Sequence, residues 1–457
     1  MIIMELFKAE SKKYEKEFLK LLEQWVSIPS FYDRKTVSKD MPFGKGVYDA
    51  LNWFENLGRE NNFKVKNIDN HAVQIEYGNG KEYVDIFGHC DVVNPGEGWD
   101  SEPFKLNIIG DKLVARGVSD NKGPMIVNFL ALKMIKDLDI NLKRKVRLIA
   151  GGNEESGFKC IKHYYSKEPY GVCGFTPDAK FPVLNGEKGG AIIKLISNIE
   201  DDKSLYISGG IEFNTIPDKV YIKNVEKLGK DNICFDINNI SINYDNGNYI
   251  VYGKGGHSSK PEKSINPILA TIKLLSENID EKWTKDLYKL INQDNINGNL
   301  FGLNIEGKCG ILSMVPTIIN IVDGKLEVVL SVRYPEILTL EDIIKKFNLY
   351  MEQNNINKFE LIGENLKQAN YIDRNSKLVR SLHDIYIKYS GDLKNDVRVT
   401  SAGSYASEMN NSVIFGCEFP DGSFGNVHSA NEFASLDRFI TAIGIYAEAI
   451  ITLCNKI

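Results

Sequence analysis

No Cys-x-x-Cys pair occurs in this chain. Its seven cysteines, Cys90, Cys160, Cys173, Cys234, Cys309, Cys417 and Cys454, are scattered. That argues against a disulfide framework and fits a reduced, cytoplasmic setting. There is no basic stripe with interleaved aromatics, and the net charge is −5, so nucleic acid is not an expected partner. Nor is there an apolar run of membrane-spanning length. The stretch from Phe439 to Leu453 is short and broken by Glu448. The opening Met1-Ile2-Ile3-Met4 is too short for a secretory h-region and meets a charge at Glu5. Internal repeats and low-complexity segments are also missing.

What is there suits a globular protein. The chain has 457 residues, 43% hydrophobic and 26% charged, enough for a sizeable core. Length alone suggests about three domains. Residues 5 to 26 read as one amphipathic helix, with Tyr14, Phe18, Leu21, Leu22 and Trp25 on one face and Pro29 after its end. A helix over about 47–57, strands near 71–77 and 83–88, a helix over 122–138 and a strand over 145–150 follow. This alternation predicts a mostly parallel sheet flanked by helices.

The texture changes after Gly186. Residues 187 to 255 read as rich in strands and turns, and the Lys230–Asn248 stretch as solvated loops and edges. A helix is expected over 265–277. The run Lys325–Arg333 alternates Leu326, Val328, Leu330 and Val332 inward. A helix over 340–350 closes the block. The last helix, about 436–453, is apolar nearly all round and is expected in a core. The reading is an α/β catalytic domain (1–187 and 369–457) interrupted by an inserted α+β lid domain (188–368).

Three loops each follow an expected strand. They are Gly88-His89-Cys90-Asp91, Arg116-Gly117-Val118-Ser119-Asp120-Asn121-Lys122-Gly123 and Gly151-Gly152-Asn153-Glu154-Glu155-Ser156-Gly157. Ligands of α/β sheets gather at the carboxyl ends of strands, so these loops can converge. With Asp178 and His428 they offer the imidazoles and carboxylates of a two-metal hydrolase. Singly each is weak. Asp120, just before the helix at 122, reads equally well as a helix cap.

Further strings sharpen the pattern: Gly96-Glu97-Gly98-Trp99-Asp100-Ser101-Glu102-Pro103-Phe104, Phe175-Thr176-Pro177-Asp178-Ala179, Gly186-Glu187-Lys188-Gly189 and His428-Ser429-Ala430-Asn431-Glu432-Phe433. In this order they resemble the dinuclear zinc metallopeptidases that include aminoacylase, glutamate carboxypeptidase and succinyl-diaminopimelate desuccinylase. The nearest resemblance is to the PepV-type dipeptidases of Gram-positive bacteria, over nearly the whole chain.

The resemblance implies that His89 and Asp178 bind one divalent ion, Glu155 and His428 the other, and that Asp120 bridges them. Asp91 would sit behind His89 and orient its imidazole. Glu154 would be the general base and Glu155 a ligand. Zinc suits these donors first, and manganese and cobalt also fit. In the inserted block, Gly253-Lys254-Gly255-Gly256-His257 resembles the segment whose histidine binds the oxyanion. Asn214 matches a substrate-contacting position, and Arg333 one that grips the substrate's terminal carboxylate. His71, His163 and His383 match no motif and are left as structural or surface residues.

The implied activity is hydrolysis of small unblocked dipeptides by a catalytically competent monomer, because the enlarged PepV-like lid supplies its histidine within one chain. The alternative is an N-acyl amino acid deacylase or desuccinylase using the same metals. Two departures stand out. The family's Gly-Gly-Thr-Tyr-Ala-Arg stretch reads Ala402-Gly403-Ser404-Tyr405-Ala406-Ser407 here, which puts the charge of the substrate pocket in question. Ala115 also replaces a usual glycine before Arg116-Gly117.

Overall fold

A computed structural model describes residues 2–199, 205–223, 239–245 and 248–457. Most of the Lys230–Asn248 stretch lies outside the described residues. Within it, Ser241–Asp245 is the outermost strand of its sheet. The chain divides into two compact units. One holds Met1–Gly186, Ile372–Val399 and Ser404–Ile457. The other holds Glu187–Tyr371, with Thr400–Gly403 returning to it.

The first unit is built on a sheet whose centre is parallel. Lys145–Gly151, Tyr83–His89, Cys173–Thr176 and Ser412–Ile414 run side by side in that order. Antiparallel strands Ala72–Tyr77 and Lys64–Ile68 extend one side. Apart from Asp85 and Arg147, the two central strands are largely apolar with nearly every residue buried, as helices on both faces require. Helices Lys122–Asp137 and Leu436–Asn455 pack on this sheet, both largely buried. Lys45–Glu60 also packs on it. Among the described residues no helix is long and apolar enough to cross a membrane.

Register is fixed by a buried ion pair. Asp85 lies directly opposite Arg147, and their side chains meet through two bonds of 2.7 Å. Removing one partner of such a pair costs about 3–5 kcal/mol, because the other charge is left buried. The same register places His89 beside Gly151. A slip of one residue would turn His89 to the wrong face.

The expected helix over 5–26 is in fact two, Ile2–Lys13 and Glu15–Val26, broken at Tyr14. Ser11 donates its hydroxyl back to the Phe7 carbonyl at 2.6 Å, a bond that bends helices. The Tyr14 hydroxyl is drawn to Asp137.

The second unit is an eight-stranded antiparallel sheet. Its order is Ser241–Asp245, Asn248–Tyr252, Lys219–Lys223, Tyr206–Gly209, Ser313–Val322, Lys325–Tyr334, Gly189–Asn198 and Glu360–Lys367. Helices Pro267–Asn278, Lys282–Leu290 and Leu340–Gln353 complete its own core. Leu326, Val328, Leu330 and Val332 point into that core. The opposite face is also partly covered, since Val329 and Ser331 are buried too.

Candidate metal centre

His89 ends the central strand Tyr83–His89 and is fully buried. Its Nδ1 donates to the Asp91 backbone carbonyl at 2.8 Å. A carbonyl can only accept, so the proton sits on Nδ1 and the Nε2 lone pair faces the site. Nε2 lies 3.0 Å from Asp120 Oδ1 and 3.4 Å from Asp178 Oδ1. On the other side, His428 Nε2 lies 2.9 Å from Asp120 Oδ2 and 3.1 Å from Glu155 Oε2. Asp120 thus turns one oxygen to each histidine, the disposition of a bridging carboxylate. It is not the cap of the following helix. That position belongs to Asn121, whose side chain makes no capping bond.

The adjacent glutamates diverge. Glu155 goes to His428 and groups with His89 and Asp120, while Glu154 groups with His89 and Asp178, the donor atoms of each set within 4.8 Å of one another. Asp91 governs this pair. Its two carboxylate oxygens accept the backbone N–H groups of Glu154 and Glu155, each at 3.1 Å. The imidazole of His89 is therefore oriented by the Asp91 backbone. The Asp91 carboxylate, 3.5 Å from Nδ1, faces the imidazole as well as holding the loop.

Three supports carried no assigned role in the sequence. Buried Glu432 accepts the N–H groups of Ser119 (2.8 Å), Asp120 (3.0 Å) and Gly117 (3.0 Å), and pairs with Arg116 at 2.7 Å. It clamps the Asp120 loop. Asn121 donates to the Pro177 carbonyl and to Asp178 Oδ1, and accepts from the His89 N–H. Tyr405 packs its ring edge-on to Phe87 and His89. His428 has a left-handed backbone, φ 62°, between strands Phe424–Gly425 and Phe433–Ser435. Asn431 ties this turn to Asp100 through two bonds. The Gly96–Phe104 string thus buttresses the His428 loop. Ser407 turns its hydroxyl to the Ser404 carbonyl. His71 and His163 stack on each other at 3.9 Å, and His383 lies beside Asn395.

The electrostatics favour cations. Burial, then Asp178, pushes the Glu154 carboxyl well up. Burial, then Asp120, pushes Glu155 up to about 7, and burial pushes Asp178 up to about 6. The bonds from Asp120 and Glu155 push His428 up to about 11. Four carboxylates thus crowd around two imidazoles, one of them, His89, fully buried and the other, His428, open to solvent on one side. That surplus of negative charge and this N/O donor set fit two divalent ions. Chelation should abolish hydrolysis, and added divalent metal should restore it. Full activity in rigorously metal-free protein would remove the metal from the mechanism.

The sequence profile of peptidase family M20/M25/M40 matches residues 86–452. The chain belongs to peptidase family M20. It is 31% identical to the "Putative dipeptidase" of Staphylococcus epidermidis (strain ATCC 12228 / FDA PCI 1200), covering 98% of this chain and 99% of that one. It is 29% identical to "Putative dipeptidase YtjP" of Bacillus subtilis (strain 168), covering 98% and 100%. Among solved structures, human carnosine dipeptidase 1 aligns with a TM-score of 0.59 at 14% identity, over 99% of both chains. The di-peptidase Dug1p from Saccharomyces cerevisiae aligns with a TM-score of 0.58 at 14% identity, over 98% of both. At such identities these two speak for the M20 fold alone. The M20 assignment makes the chain a metallopeptidase.

Proposed function

We propose that this M20 enzyme hydrolyses unblocked dipeptides, with His89 and Asp178 holding one divalent ion, Glu155 and His428 the second, and Asp120 bridging. Such ions, most simply zinc, would supply a Lewis acid and would lower the pKa of the attacking water toward about 7. Glu154 takes the proton of that water and hands it to the leaving amine, a role suited to a carboxyl whose pKa burial has raised. Asp91 holds the backbone of this base.

His257 donates to the developing oxyanion. Its Nδ1 accepts the Ser259 N–H at 3.1 Å and lies 2.7 Å from the Ser259 hydroxyl, so Ser259 holds that edge of the ring. Asn214 is tied to the same segment, its carbonyl accepting the Ser258 N–H at 2.9 Å. We assign it to the substrate.

Arg333 carries the choice of dipeptides. Its Nε is buried without a hydrogen-bond partner, and among the described residues no carboxylate pairs with it. A desolvated guanidinium with no anion of its own suits a substrate that brings a terminal carboxylate. A panel of free, amidated and N-acylated dipeptides and amino acids with added metal tests the reading. Acylated amino acids cleaved far faster than any dipeptide would make the enzyme a deacylase.

We also assign His257 to the site of its own chain, so that a monomer is competent. Mixing inactive His257→Ala chains with inactive Glu154→Gln chains should then restore nothing. Recovered activity would mean that subunits share the site.

A further inference from the structure

Arg333 does not stand alone on its face of the second unit's sheet. It pairs with Gly190 on one side and Ser313 on the other, and Gly190 pairs in turn with Lys367. A Cβ at Gly190 would meet Arg333 Nη1 at 2.7 Å and Lys367 Cγ at 3.4 Å. Both side chains therefore lie over this glycine, on the face its missing Cβ would take.

Lys188 is two residues before Gly190, so the alternation of an extended chain turns it to the same face. Its Nζ donates to the Ile311 carbonyl at 2.6 Å. Ile311 is two residues before Ser313, on the far side of Arg333. The Lys188 side chain thus crosses the end of the Arg333 strand, on the face that Arg333 occupies. Its stem lies against Gly310, where a Cβ would stand at ordinary contact distance, 3.5 Å from Lys188 Cε. Burial, and to a smaller degree the Arg333 charge, hold the Lys188 ammonium below its usual pKa.

The three cations differ in what they already hold. Lys367 is buried, donates to the Ala402 carbonyl at 2.7 Å and lies 3.9 Å from Glu187. Lys188 is half-buried, and its recorded acceptor is a neutral carbonyl. Two adjacent like charges without their own anions repel. The arrangement becomes favourable when a ligand brings more than one negative charge.

We propose that Lys188 binds a second carboxylate beside the one held by Arg333, so that the preferred substrates end in a residue with an acidic side chain. This rests on Arg333 taking the terminal carboxylate. The planar fork of Arg333 suits that fixed group, and the flexible ammonium of Lys188 suits a side-chain carboxylate.

The test compares kcat/KM for Ala-Glu and for its neutral isostere Ala-Gln. The intact enzyme should favour Ala-Glu about ten-fold or more, the size of one charge-assisted hydrogen bond. Lys188→Gln should bring the ratio close to one, chiefly through KM for Ala-Glu, and Lys188→Arg should keep most of it. Equal cleavage of the two by the intact enzyme overturns the proposal, whether or not the variants fold. So does a Lys188→Gln variant that loses both substrates by the same factor, since Lys188 would then share the terminal carboxylate. If the enzyme proves to be a deacylase, the same ratio is read on N-acetylglutamate and N-acetylglutamine. The dipeptide reading and the Lys188 reading therefore fail separately.

Discussion

Glu154→Gln should lower kcat by about 10²–10⁴-fold, the usual cost of losing a general base, while the protein keeps both metals. The substitution preserves shape. The backbone of the loop stays anchored, because Asp91 grips the N–H groups of residues 154 and 155, not their side chains. Glu155→Gln should behave differently. It removes the charged partner that faces His428 at 3.1 Å, so metal should be lost or weakened on that half of the site. Metal content measured on both purified variants decides the matter. If Glu154→Gln loses metal and Glu155→Gln retains it, the two roles are exchanged.

This pair also shows what a sequence can and cannot disclose. The acidic doublet was legible because an apolar strand, Lys145–Gly151, runs straight into a glycine-rich loop. A parallel sheet sends such loops to one edge, so His89 and the doublet could be expected together. Their divergence was not legible. It depends on Asp91, more than sixty positions away in sequence, accepting two backbone N–H groups. Nothing in the residue type of Asp91 distinguishes that from orienting an imidazole.

Glu432 is the sharper case. It stood inside a quoted motif, yet its work is to hold the Asp120 loop through bonds spanning 312 and 313 residues of chain. Three of its partners are backbone amides, which leave no mark in the sequence, and its one charged partner, Arg116, stands 316 residues away. The amphipathic pattern over residues 5–26 failed for a related reason. Periodicity reports the buried face, which continues across Tyr14. It does not report the Ser11 hydroxyl that bends the chain there. In the second unit the alternation of Leu326, Val328, Leu330 and Val332 found the core face. It carried no sign of the crowded basic face behind it, which arises from four strands brought side by side.

The role proposed for Arg333 on that face carries the prediction with the largest expected effect. A half-buried guanidinium whose Nε is shut off from water rewards a ligand that presents a carboxylate to it. Converting the carboxylate to an amide leaves the Arg333 cation desolvated and unpaired. Such a loss costs about 2–5 kcal/mol, roughly thirty- to several-thousand-fold in kcat/KM. Free dipeptides should therefore be cleaved well, and their C-terminal amides poorly. Arg333→Ala should shrink that gap by slowing the free acids toward the rate of the amides. The substitution also removes a half-buried, unpaired charge, so the folded protein should not suffer; thermal unfolding of the variant checks this. The decisive measurement is the acid-to-amide ratio in the unaltered enzyme. If amidated dipeptides turn over as fast as free acids, Arg333 does not read the terminal carboxylate, and the dipeptide rule loses its physical basis.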